Sequence, residues 1–133
     1  VREKQMKEKM KILVGVDGSD QSTWALMEAI AIAKKFSGHI KVITVYKRGS
    51  EDEATKTQMK IKHLLNEEQI NSSLEAILGS NPSRALVDTA ESEKIDLIVV
   101  GNRGLGNAAS FLLGSVSKRV ISKANCDVLV VKK

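Results

Sequence analysis

Cysteine, proline, histidine and aromatic residues are all scarce in this chain of 133 residues. With Cys126 as the single cysteine, no internal disulfide can form, and nothing in the composition calls for an oxidising compartment. His39 and His63 stand alone, with no cysteine cluster and no paired-histidine helix, so a transition-metal site has no basis. Aromatics make up 3% of residues, which leaves few platforms for stacking nucleic-acid bases. No apolar run approaches the roughly 20 residues that a membrane-spanning helix needs, and no charged-then-apolar leader opens the sequence. The expectation is a soluble, cytoplasmic protein with no membrane partner.

The net charge of +5 is confined to the ends. Residues 1–11 hold five positive and two negative side chains, and Lys132 and Lys133 add two more positive charges; between Ile12 and Val131 the signs balance. Basic ends on a neutral body are usually solvated tails, so no nucleic-acid partner is expected. Residues 1–10 are read as a flexible charged lead. Residues 11–133 form a single domain, a length suited to one hydrophobic core.

What the chain does have is an end-to-end alternation of strand and helix patterns. KILVGVD, from Lys11, is the nearly continuous apolar run of a strand buried on both faces. Asp17-Gly18-Ser19-Asp20 then combines turn formers with helix N-caps, and Trp24, Ala25, Ala29, Ile32, Ala33 and Phe36 recur at helical spacing up to a stop at Gly38. HIKVITVY, His39 to Tyr46, is the second strand. A helix from about Ala54 to Gln69 turns Ile61, Leu64 and Leu65 inward, and Leu74 to Leu78 is a short third strand. Asn81-Pro82 opens the next helix, with Leu86, Val87 and Ala90 as its buried stripe. The fourth strand starts at Asp96, the helix after it buries Phe111, Leu112, Val116, Val120 and Ile121, and Asp127 to Val131 is the last strand. Five strands with four intervening helices predict an α/β fold: a parallel sheet with right-handed crossovers and helices on both faces.

Glycine is concentrated where function is expected. After the apolar run Leu97 to Val100 come Gly101 and Gly104, then nine residues, then Gly114 and Ser115. Bare backbone lets amide groups turn toward an anion, and a helix N-terminus favours negative charge, so the pattern points to a phosphate site. Ligands of parallel sheets sit beyond the carboxyl ends of the strands where the winding order reverses. The two unusual strand ends, Val16-Asp17-Gly18 and Gly101-Asn102-Arg103-Gly104, therefore place strands one and four side by side at that switch point. The glycine-lysine-hydroxyl ending of a P-loop and the three-glycine dinucleotide fingerprint are both missing. No nucleophile motif sets a histidine beside Ser19, Ser115 or Ser117.

Each residue also has a plainer reading. Gly101 and Gly104 could serve only a tight strand-to-helix turn. Gly114 interrupts a helical pattern at a cost of about 1 kcal/mol relative to Ala, which close approach of a ligand or of backbone would explain. Ser115 could be an N-cap, Asp17 a cap for the next helix, and Arg103 a surface charge or a phosphate contact. Trp24, Phe36 and Phe111 are read as core, and Cys126 as a small buried apolar group.

Gly101, two residues, Gly104, nine residues, Gly114 and Ser115 resemble the ATP-binding signature of the universal stress protein family without a gap. The opening ILVGVDGSDQS and the closing CDVLVV are similar to the two ends of the same domain, so the resemblance spans Lys11 to Lys133. It implies a five-stranded sheet in the order 3-2-1-4-5, of the adenine nucleotide α-hydrolase-like kind. It also implies that Val16, Asp17 and Val45 hold adenine and ribose, while Gly101, Arg103, Gly104, Gly114, Ser115 and Val116 hold ribose and phosphates. The implied ligand is ATP, or ADP or AMP, with or without Mg2+. The implied assembly is a homodimer through the last strand. The function expected is a nucleotide-dependent stress-response or signalling switch acting on a protein partner that the sequence does not name, and not an enzyme beyond weak ATP hydrolysis. Two alternatives are a slow ATP hydrolase or phosphotransferase, and an interaction module of the same fold that binds no nucleotide.

Overall fold

The computed structural model describes residues 9–102 and 114–132. Its strands are β1 (Lys11–Gly15), β2 (His39–Tyr46), β3 (Asn71–Leu78), β4 (Leu97–Gly101) and β5 (Asp127–Val131), and its helices are α1 (Asp20–Phe36), α2 (Glu51–Glu67), α3 (Pro82–Ser92) and α4 (Ser115–Lys123). The strands form one parallel sheet in the order β3-β2-β1-β4-β5, as expected. β1 and β4 are neighbours, with Ile12 beside Leu97 and Val14 beside Val99, so the winding reverses between them.

Alternation along β1 divides the core. Ile12, Val14 and Val16 face α1 and α2 with Ile40, Val42 and Val99, and Leu13 faces the other way with Ile43, Ile98 and Val100, under α3 and α4. Burial of each such side chain is worth about 1.5–3 kcal/mol, so the two layers hold four helices against one sheet. The lead is tied down where it meets the domain: the Met10 carbonyl accepts from the His39 amide at 2.8 Å.

Several expectations about single positions are corrected. α2 begins at Glu51 and not near Ala54, because Glu51, Asp52 and Glu53 favour the positive end of the helix dipole. β3 begins at Asn71 and not Leu74. Its polar start, Asn71-Ser72-Ser73, belongs to an edge strand that buries little yet pairs with β2 over its full length. Phe36 is 58% exposed. It continues the α1 stripe by spacing, but as the helix's last residue it outruns the sheet that the stripe covers. Ile121 is 46% exposed. In the nine-residue α4 the buried positions are Ser117 and Val120, and Ile121 lies on the flank. Phe111 and Leu112 lie outside the described residues. Gly38 is not the residue that reverses the chain after α1. Ser37 takes the left-handed conformation (φ 53°, ψ 43°), and Gly38 is bare because a Cβ there would lie 3.0 Å from the Met10 carbonyl.

Candidate functional site

At the carboxyl end of the sheet lies a cleft of about 740 Å³, a size that suits a small-molecule ligand. Its floor is the C-terminal ends of β1, β2 and β4. Its walls are the starts of α1, α3 and α4, because a crossover helix in a parallel sheet points its N-terminus toward this end.

The β1 side is held by a local hydrogen-bond circuit. Gly18 (φ +88°) turns the chain, Asp17 Oδ1 accepts from the Ser19 amide at 2.9 Å, and the Asp17 amide donates to Ser22 Oγ at 3.3 Å. Ser19 Oγ accepts from the Ser22 amide at 3.2 Å, which makes Ser19 the N-cap of α1. Asp17 is therefore not the cap. Partial burial pushes its carboxyl up, but hydrogen bonds from Ser19 and Ser22 outweigh that and hold it below the ordinary value of 3.8. The carboxylate is charged at neutral pH, on the cleft wall.

α3 and the turn before it close the cleft above β1 and β2, the turn through Ser80 and the helix through Pro82 and Leu86. Its first turn is also satisfied: Asn81 Oδ1 accepts from the Arg84 amide at 3.1 Å and from Ser83 Oγ at 2.8 Å. α4 differs. Gly114 occupies its N-cap in extended conformation (φ −67°, ψ 162°) and supplies no side-chain acceptor. Of the three helix N-termini that line the cleft, the one after β4 has no side-chain cap among the described residues. Gly114 stands immediately before α4 as its N-cap, and the residues preceding it, over which the helical pattern was expected to run, lie outside the described residues.

Gly101 is bare for a reason that its sequence context hid. A Cβ on it would lie 2.3 Å from the Gln21 carbonyl oxygen and 2.7 Å from that carbonyl carbon, so the missing side chain admits the first turn of α1. From the other side Ser117 Oγ donates to the Gly101 carbonyl at 3.0 Å.

Of the residues expected at the site, Val16, Asp17, Val45, Gly101, Gly114 and Val116 line the cleft together. Ser115 opens α4 but is exposed and is not on the cleft wall; Ser117, two residues on and 1% exposed, is there instead. Arg103 and Gly104 lie outside the described residues. Lys47, Gln21, Ser80 and Leu86 line the cleft and were not anticipated. Lys47 had a usable signal, since it follows β2 directly and continues the two-residue spacing of Ile43 and Val45. Ser80 and Leu86 follow from the crossover of α3 from the β3 edge back over β1. Among the described residues, no three His, Cys, Asp or Glu side chains are grouped to hold a metal ion, and no helix is long and apolar enough to cross a membrane.

Comparison with known proteins gives this cleft a context. The model of the universal stress protein family matches residues 9–132. A universal stress protein of Methanocaldococcus jannaschii is 36% identical over 140 aligned residues, covering 92% of this chain and 82% of the relative. A universal stress protein solved in complex with cAMP superimposes with a TM-score of 0.79 at 32% identity, over 93% of this chain and 97% of that one. The universal stress protein of Archaeoglobus fulgidus in complex with dAMP gives a TM-score of 0.76 at 27% identity, over 92% and 98%. With its glycine-bounded cleft at the β1–β4 switch point and a match that runs nearly its whole length, the chain belongs to the universal stress protein family.

Proposed function

We propose that the cleft binds an adenine nucleotide, ATP or its lower phosphates, and that occupancy changes how the protein associates with partners, as a stress-response switch. The observation that carries this reading is the α4 N-terminus, whose N-cap is a glycine and which has no side-chain cap among the described residues. First-turn amides carry partial positive charge and need acceptors, and a phosphate supplies them. Across the floor, Val16, Ile43 and Val45 offer the apolar surface that suits a nucleobase, and Asp17 offers an acceptor for ribose hydroxyls. Related structures that carry cAMP and dAMP support the same class of ligand.

The role is binding and not turnover. The Asp17 carboxylate is held in its charged form by hydrogen bonds within its own turn, which makes it a poor proton acceptor. Two copies pair through β5, an edge strand whose outward backbone groups otherwise invite unselective pairing.

Replacing Gly114 by Asp tests the phosphate position. The backbone there suits any L residue, and Asp supplies both the acceptor and the negative charge that the ligand is proposed to bring. The expected outcome is a protein as stable as wild type or more so by a few tenths of a kcal/mol, with calorimetric binding of AMP and ATP abolished. Undiminished binding in a folded Gly114→Asp variant places the phosphate elsewhere.

A further inference from the structure

Ser117 occupies a position where packing alone would ask for alanine. Its neighbours on the buried side of α4, Val116, Val120 and Ala124, pack into the apolar layer formed with Leu13, Ile98 and Val100. The serine is 1% exposed, so its hydroxyl has left water and must be matched inside. At the third position of a helix a polar side chain often reaches back to the N-cap amide. Ser117 turns inward instead, and its hydroxyl donates to the carbonyl of Gly101, the last residue of β4 and 16 residues earlier in the chain, at 3.0 Å.

The Gly101 peptide is thereby held on two sides. On one, its missing Cβ admits the Gln21 carbonyl of α1; on the other, it accepts from Ser117 of α4. Both helix starts that flank the β1–β4 switch point are braced on one residue. This matters most for α4, whose N-cap residue, Gly114, has no side chain to hold the first-turn amides in place. A binding site gains affinity when its donors are fixed before the ligand arrives.

We propose that Ser117 is a positioning residue that fixes the first-turn amides of α4 for the ligand's phosphate, without itself defining the base pocket. The inference rests on the nucleotide reading above and assigns that site a determinant of phosphate affinity as distinct from nucleoside affinity.

The test compares AMP with adenosine on the full chain, by calorimetry, in wild type, Ser117→Ala and Ser117→Thr. The most that loss of this one hydrogen bond can take from affinity, through loosening of the α4 first turn, is roughly tenfold. The expected result for Ser117→Ala is AMP affinity down by about that factor with adenosine affinity unchanged, and recovery of AMP affinity in Ser117→Thr, which keeps the hydroxyl. Retained adenosine binding also establishes that the alanine variant is folded. Unchanged AMP affinity in Ser117→Ala overturns the proposal, and so does an equal loss for AMP and adenosine, which would make the serine a general structural support. If wild type binds neither compound, the nucleotide reading fails first, and this inference with it.

Discussion

At the scale of single residues, Asp17 joins the fold to the cleft. It ends the β1 run, accepts from the Ser19 amide, and keeps a charged carboxylate on the cleft wall. Since its folded-state pKa lies below the ordinary 3.8, the carboxylate's contribution to stability is present above that value and is lost as pH falls through the folded-state value. Asp17→Asn should therefore be less stable than wild type in urea denaturation near neutral pH, with the difference shrinking under acid. A gap that stays constant with pH would assign the effect to shape and not to charge. The same residue marks the limit of what its neighbourhood in the chain reveals. Asp17, Ser19 and Asp20 are all credible caps in DGSD, and the choice falls to Ser19 because the positive φ of Gly18 swings Asp17 back over the turn. Gly101 shows the complementary limit. Its bareness was legible, but the cause, the Gln21 backbone, lies 80 positions earlier in the sequence and reaches it only through the β1–β4 pairing.

At the scale of elements, the periodicities were readable and the ends were not. β1, β2 and β5 carry aliphatic residues on both faces and stand out from their surroundings, whereas β3 starts on Asn71-Ser72-Ser73, polar residues that an edge strand tolerates. The end of α1 is the sharpest case. A glycine beside a helix end invites the reading of a left-handed stop, yet the left-handed residue is Ser37, one position earlier. Its Cβ makes that conformation costly, and Gly38 is already committed to admitting the Met10 carbonyl. Ser37→Gly should consequently stabilise the protein by about 1 kcal/mol, read as a higher denaturant midpoint with an unchanged slope. No gain would mean that the serine's side chain compensates the strain. The start of α4 carries more functional weight. Gly114 was visible as a break in a helical pattern, but its meaning depends on Ser19 and Asn81 capping the two neighbouring helices. A comparison among three helix starts is a property of the assembled sheet, and no single stretch of chain contains it.

At the scale of the whole molecule, the sheet order leaves β3 and β5 as edges, and they are not equivalent. β3 is polar at its start and exposes Glu75 and Ala76. β5 is apolar from Val128 to Val131, with Leu129 and Val131 packed on one core layer and Val128 and Val130 on the other. Pairing of β5 with a second copy would extend both layers across the junction. The backbone geometry supplies a selective way to test this. The Asn102 amide donates to the Val131 carbonyl at 2.9 Å, so the polar groups of Val131 face β4, and alternation turns those of Val130 outward. Proline at position 130 removes an outward N–H and, among the described residues, no bond of the sheet ladder, and edge strands accept proline there. Val130→Pro should sediment as a monomer where wild type sediments as a dimer, and it should bind AMP with wild-type affinity, because the described cleft is built within one chain. A Val130→Pro protein that remains dimeric moves the interface away from β5. A monomer that also loses AMP would tie occupancy to assembly, because the β4 end that carries Gly101 is held between β1 and β5 and is the route by which pairing at the edge reaches the cleft.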